Sequence, residues 1–170
     1  MKKKLAILGA GGKMGSRITA NIKDLAELEI SYIEISEAGR KRLKDCFGVE
    51  ATDSYEPLKE AQTVIFAVPD ILIERVSQTV IPMLSPGSTV IGLDPAAHYG
   101  RVMMMRDDLK YFVVHPCHPS LFPFEENLSL AAQKDWFGGV GAAKMDLVCC
   151  QQQGTDEDYE ENEIKIENKG

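Results

Sequence analysis

No run in this 170-residue sequence approaches the roughly 20 consecutive apolar residues that a membrane-spanning helix requires. The opening Met1-Lys2-Lys3-Lys4, followed by Leu5-Ala6-Ile7-Leu8, has the charge order of a secretory leader, but its apolar part is too short and is soon interrupted by Lys13 and Arg17. It reads instead as the start of a buried strand. Cysteine is sparse: Cys46, Cys117, Cys149 and Cys150 show no CxxC spacing, and two of the four are adjacent. That is a poor basis for a disulfide framework and points to a reducing, cytoplasmic setting. Positive charge is short as well. Against 26 Asp+Glu stand 19 Lys+Arg, for a net charge of −7, most of it in the acidic end from Thr155 to Gly170. A general electrostatic affinity for nucleic acid or an anionic membrane is therefore not expected.

With 44% hydrophobic residues there is enough apolar material for the core of one ordinary domain. Short β-branched runs alternate with helix-like segments, and no repeat or long linker interrupts them. Strands are expected over Lys4 to Leu8, Ile30 to Ile35, near Val49, over Thr63 to Val68, Thr89 to Leu93 and Tyr111 to Val114. Helices are expected over Lys13 to Leu25, Ala38 to Cys46, Tyr55 to Ala61, Ile71 to Met83 and around Tyr99 to Arg106. The continuous apolar run Thr63 to Val68 suits a strand buried on both faces, as in parallel sheets. This pattern defines a doubly wound, mainly parallel α/β fold of the Rossmann type over residues 1–154.

After His115 the texture changes to a Pro- and aromatic-rich segment, with Leu147 to Gln153 as one more strand ended by Gly154. Thr155 followed three residues later by Asp158 has the pattern of a capping box, so residues 155–170 read either as the start of a helix or as a solvated acidic tail.

The stretch Leu8-Gly9-Ala10-Gly11-Gly12-Lys13-Met14-Gly15 lies between the first strand and the first helix. Glycines in that place let the chain turn tightly, bring backbone N–H groups close to a pyrophosphate and pack the helix against the sheet. The spacing is Gly9-x-x-Gly12-x-x-Gly15, looser than GxGxxG. Gly9, Gly11, Gly12, Lys13, Met14 and Gly15 are the candidate cofactor-binding residues of the loop.

A dinucleotide fold also calls for an acidic residue near the end of the second strand, and Glu34 stands there, suited to the adenosine ribose hydroxyls and hostile to a 2′-phosphate. This favours NAD. Ser36, Arg40, Lys41 and Arg42 come soon after and could answer such a phosphate, which leaves NADP open. Ala67, Val68 and Pro69 end the central strand at the edge where ligands bind in open α/β sheets, although a structural strand end accounts equally for Pro69 and Asp70. Asp94, before Pro95, reads first as a turn former.

His115-Pro116-Cys117-His118-Pro119 directly follows a strand at that same edge. His115 and His118 are the candidate catalytic residues, binding a substrate oxygen or moving its proton. Metal ligation by His115, Cys117 and His118, a nucleophilic Cys117, and simple turn formation remain alternatives. Met103-Met104-Met105 reads as core filler and His98 as a surface or loop histidine.

Together, Gly9-Ala10-Gly11-Gly12-Lys13-Met14-Gly15, Glu34-Ile35-Ser36-Glu37-Ala38-Gly39, Ala67-Val68-Pro69-Asp70, His115-Pro116-Cys117-His118-Pro119 and Phe137-Gly138-Gly139 resemble phosphogluconate-dehydrogenase-like oxidoreductases, and within them the D-apionate oxidoisomerase type. The glycine run alone is similar to that of dihydrodipicolinate reductases. Their His- and Lys-rich catalytic run is not found here, and the His-Pro-Cys-His-Pro segment narrows the choice. The resemblance implies NAD-dependent oxidation of a hydroxyl on a small sugar acid, with an isomerisation coupled to it. It also implies a helical C-terminal domain that encloses the substrate and commonly forms a homodimer, a domain expected to be absent or truncated in these 170 residues. A dinucleotide-binding module without turnover of its own is the second reading.

Overall fold

The computed structural model describes residues 2–116 and 147–158. Seven strands form one sheet in the order β3-β2-β1-β4-β5-β6-β7. The strands are β1 (Lys3–Leu8), β2 (Leu28–Ile33), β3 (Ala51–Thr52), β4 (Thr63–Phe66), β5 (Thr89–Gly92), β6 (Lys110–Pro116) and β7 (Leu147–Gln153). All neighbours pair in parallel except β6 and β7, which are antiparallel. The chain runs outward from β1 through β2 to β3, then returns to the other side of β1 with β4. That reversal opens a crevice at the carboxyl ends of β1 and β4, the place where such sheets bind ligands.

The central strands β4 and β5 are mainly apolar and buried, as suits strands covered on both faces. Ala6 and Leu8 belong to the larger cluster, with Ile33, Val64, Phe66, Ile73, Val90 and Tyr111, while Ile7, between them in sequence, packs with Tyr32 and Leu43 on the opposite face. Two of the helices are α1 (Lys13–Ile22) and α2 (Glu37–Phe47). Helix α2 is bounded by local signals: the Ser36 hydroxyl caps its start by accepting from the Gly39 N–H at 3.1 Å, and Gly48 ends it in the left-handed conformation, φ 68°. Helix α3 (Asp70–Val80) passes into a single 3₁₀ turn at Ile81–Met83, where Pro82 cannot continue the α-helical hydrogen bonds. The helix expected over Tyr55 to Ala61 is likewise only a 3₁₀ turn, Glu56–Lys59, with Pro57 in its first turn.

The helix expected around Tyr99 to Arg106 lies earlier in the chain, as α4 (Pro95–Tyr99). Asp94 caps it, its carboxylate accepting from the Ala96 N–H at 2.9 Å, and Pro95 fits the first helical position. The chain then leaves the helix through Gly100 and Arg101, whose φ is 54°. Two expectations change with it. Met103 is buried, but Met104 and Met105 are exposed rather than core filler.

His98 is a core residue, 8% exposed, not a surface histidine. Its ring meets Tyr111 edge-on with centroids 6.3 Å apart, and neither ring nitrogen has a hydrogen-bond partner. Burial pushes its pKa below the ordinary 6.5, partly offset by the neighbouring Asp94. The folded state thus holds His98 neutral while the unfolded chain protonates near 6.5, so stability falls as the pH drops below that value. His98→Leu is expected to flatten the decline between about pH 6.5 and 5, as read by urea denaturation at several pH values.

Thr155 and Asp158 form the capping box that the sequence predicts. The N–H and hydroxyl of Thr155 each donate to Asp158 Oδ2 at 2.9 Å, and the Asp158 N–H donates back to the Thr155 hydroxyl at 3.3 Å. Lys110, at the start of β6, pairs with the other carboxylate oxygen. Lys110 and Thr155 hold the Asp158 carboxyl at about 2, below the ordinary 3.8. Because the folded value is the lower one, this stabilisation is present above about pH 4 and is lost as the pH falls toward 2. Asp158→Asn is expected to lower stability at neutral pH and to remove that component of acid sensitivity, measured by denaturant titration across the same range.

No helix among the described residues is long and apolar enough to cross a membrane.

Candidate functional site

The glycine loop rises from the carboxyl end of β1, where the N–H groups of Gly9 and Ala10 both donate to the Ile33 carbonyl, at 2.9 and 3.2 Å. Three glycines divide the work. Gly9 adopts φ +73°, and a Cβ there would lie 2.6 Å from the Ala67 carbonyl oxygen on the other side of the crevice. Gly15 lets α1 press against the loop, since its Cβ would stand 2.3 Å from the Gly9 oxygen. Gly12 is different: its Cβ would meet nothing closer than 3.2 Å. As the N-cap of α1 it offers no side-chain oxygen to the first turn. The first turn of α1 thus begins without a side-chain cap and without an acidic residue, the arrangement in which a helix N-terminus can receive an anion.

Glu34 follows β2 directly and is 8% exposed. One carboxylate oxygen accepts from the Gly11 N–H at 2.9 Å. The other accepts from the Ser36 N–H at 2.9 Å and the Ser36 hydroxyl at 2.8 Å. The acid is held beside the loop with its orientation fixed from both sides.

The cations that could have answered a 2′-phosphate are engaged elsewhere. Arg40 donates to the carbonyls of Glu34 and Ile35, each at 2.9 Å, and lies 3.6 Å from Asp53. Arg42 donates to the Gly11 carbonyl, and Lys41 pairs with Asp45 along the outside of α2.

Across the crevice, Ala67 is tied to β1 through its N–H, which donates to the Leu8 carbonyl at 2.9 Å. Val68 is half-buried, and Pro69 caps α3. Sequence reasoning overlooked Ile35 and Ile71. Both are large apolar side chains left in solvent, 66% and 89% exposed: Ile35 lies two residues past β2, and Ile71 in the first turn of α3. Exposed aliphatics beside a crevice are a signal for an apolar ligand surface.

His115 ends β6, three strand spacings from β1, or roughly 14 Å. Its Nδ1 lies 3.3 Å from the Leu93 carbonyl oxygen, which can only accept. Nδ1 therefore donates in that contact. His118 and Cys117 lie outside the described residues, as do Pro119 and the Phe137-Gly138-Gly139 run. No cluster of metal-ligating side chains occurs among the described residues. A groove of about 420 Å³, lined by Lys4, Glu29, Ser31, Glu56 and Lys59, sits at the opposite, amino ends of the strands and is remote from this constellation.

A doubly wound, mainly parallel sheet with a glycine turn and a buried acid at its switch point defines the class: a Rossmann-type domain. No protein-family model matches the sequence. The chain is a homologue of proteins curated as D-apionate oxidoisomerases. It is 42% identical over 160 residues to the one from Cupriavidus necator, covering 94% of this chain and 56% of that protein. It is also 42% identical over 156 residues to the one from Blautia hydrogenotrophica, covering 91% and 53%. The chain thus spans about half the length of the curated relatives it matches. Among solved structures, a semialdehyde dehydrogenase NAD-binding protein from Cupriavidus necator, crystallised with calcium and NAD, superposes with a TM-score of 0.81 at 41% identity, covering 96% of this chain and 58% of that one.

Proposed function

We propose that this chain binds NAD in the crevice between β1 and β4 and forms the cofactor-holding part of an oxidoisomerase acting on a small branched sugar acid such as D-apionate. The observation that carries the reading is the Glu34 carboxylate fixed beside a glycine-capped helix N-terminus, with Arg40 and Arg42 both turned onto backbone carbonyls. Glu34 accepts from the adenosine ribose hydroxyls, the first turn of α1 receives the pyrophosphate, and Ile35 and Ile71 flank the adenine. Ala67, Val68 and Pro69 line the floor that the dinucleotide crosses. Bound NAD supplies the hydride acceptor for the oxidation of a substrate CH–OH group. His115, whose Nδ1 faces the Leu93 carbonyl, and His118 are the candidates for binding a substrate oxygen or moving its proton.

The relatives named for this activity support the substrate class. A cytoplasmic setting belongs to the same proposal, supported by the cysteine spacing, in which Cys149 and Cys150 are adjacent and no CxxC pair occurs. Calorimetric titration of the chain with NAD and with NADP tests the cofactor reading, and absence of binding by both overturns it. Incubation with NAD and a panel of aldonates tests turnover. Binding without NADH formation across the panel leaves a dinucleotide-binding module.

A further inference from the structure

The two peptides that flank the Gly11 α-carbon are each held by a side chain far away in sequence. The Gly11 N–H donates to Glu34, and its carbonyl accepts from Arg42, which lies in the second turn of α2. Its α-carbon is pressed against α2 so closely that a Cβ would stand 2.6 Å from the Gly39 Cα. Gly39 in turn has no room for a side chain, because its own Cβ would meet the Glu34 carboxyl carbon at 2.6 Å. Glu34 thus holds the Ala10–Gly11 peptide by its N–H, Arg42 holds the following Gly11–Gly12 peptide by its carbonyl, and the Gly11 α-carbon between them lies against α2. Gly11 immediately precedes Gly12, the N-cap on which the direction of the first-turn N–H groups depends.

We propose that Arg42 is a positioning residue for the cofactor loop: it locks the Gly11–Gly12 peptide so that the N-terminus of α1 stays aimed at the pyrophosphate, and it takes no part in holding a 2′-phosphate. The proposal rests on the reading of the crevice as an NAD site. An arginine a short way past a dinucleotide-fold acid is chemically suited to a phosphate, but here its charge is spent on a carbonyl within the loop. The lock acts through the pyrophosphate, which NAD and NADP share. Its loss therefore weakens both cofactors by the same factor and spares the adenosine end, which Glu34, Ile35 and Ile71 hold.

The test uses the 170-residue chain. Calorimetry measures NAD and NADP, and saturation-transfer NMR measures adenosine. Arg42→Ala is expected to weaken NAD by about tenfold or more, the loss of one charge-assisted hydrogen bond, with an equal factor for NADP where its binding is measurable and unchanged adenosine contact. Arg42→Lys, which keeps a cationic donor on a long stem, is expected to regain most of the NAD affinity. Unchanged NAD affinity in Arg42→Ala, or a loss confined to NADP, overturns the positioning role. So does loss of adenosine together with NAD, which would mean that the whole site had collapsed. Failure of the unsubstituted chain to bind NAD overturns the cofactor reading itself, a result separable from all of these.

Discussion

Gly15→Ala is expected to cost the fold about 3 kcal/mol or more, while Gly12→Ala, three residues earlier, is expected to leave the fold nearly intact and remove cofactor binding. The difference lies in what each new methyl group would strike. At Gly15 the Cβ would stand 2.3 Å from the Gly9 carbonyl oxygen and 2.6 Å from the Ala10 Cα. Both are backbone atoms in a loop tied to the Ile33 carbonyl, so neither can swing aside as a side chain would. Relief requires lifting α1 from the sheet, which uncovers buried Ser16 and Thr19 and opens the core beneath them.

At Gly12 the nearest atom would be the Gly9 oxygen at 3.2 Å, a contact relieved by a shift of a few tenths of an ångström. The methyl group would instead occupy the space through which a pyrophosphate reaches the backbone N–H groups of the first turn. Urea denaturation and NAD calorimetry on the same two variants separate the effects. A Gly12→Ala chain that binds NAD normally would remove the phosphate from the N-terminus of α1, and a Gly15→Ala chain of ordinary stability would contradict the close packing of α1 on the loop.

The parts of the molecule that could be read from the sequence are those fixed by local chemistry. The strand Leu147–Gln153 has the expected bounds because Gly154 stops it and the Thr155 to Asp158 capping pair turns the chain. Strand β1, the glycine loop and the start of α1 were legible for the same reason, since a short apolar run passing into a glycine-rich turn has few alternatives. The relation of Glu34 to the loop was legible from the dinucleotide pattern, although its hydrogen bond to Gly11 was not.

Features that depend on distant backbone were not legible. His98 is buried because Gly92, on β5, has no side chain to exclude it: a Cβ there would lie 2.8 Å from the His98 ring. Nothing in the local run Asp94 to Gly100 reports that vacancy. Helix α4 was misplaced because apolar character over Val102 to Met105 outweighed the Asp94-Pro95 start signal, whose hydrogen bond to Ala96 sets the true beginning. Arg40 and Arg42 leave a 2′-phosphate open in the sequence, because long cationic side chains near an acid suit one. Their acceptors are main-chain carbonyls, which no residue letter encodes.

Glu34→Ala is expected to weaken NAD by about 100-fold and to shift the preference between NAD and NADP by at least about tenfold toward NADP. Two contributions must be separated, because Glu34 braces the Gly11 N–H and, in the proposed site, also receives the ribose. The brace acts on the loop and hence on the pyrophosphate, so its loss falls on both cofactors alike. The ribose contribution does not. With NAD the carboxylate accepts from the adenosine ribose hydroxyls, and these charge-assisted bonds disappear with the side chain.

With NADP the same carboxylate faces a phosphate. Two like unit charges about 4 Å apart cost about 4 kcal/mol at an effective dielectric of 20, enough to decide the preference by itself. Removing the acid relieves that repulsion and offsets the lost brace. Because Arg40 and Arg42 are held on carbonyls, no cation turns to greet the 2′-phosphate in the variant, and NADP improves relative to NAD without becoming a tight ligand. Calorimetric dissociation constants for both cofactors with the unsubstituted chain, Glu34→Ala and Glu34→Gln check this. Glu34→Gln keeps one acceptor oxygen and is expected to fall between the other two. If NAD and NADP lose affinity equally in Glu34→Ala, the ribose role is removed and Glu34 is left solely as the brace of the glycine loop.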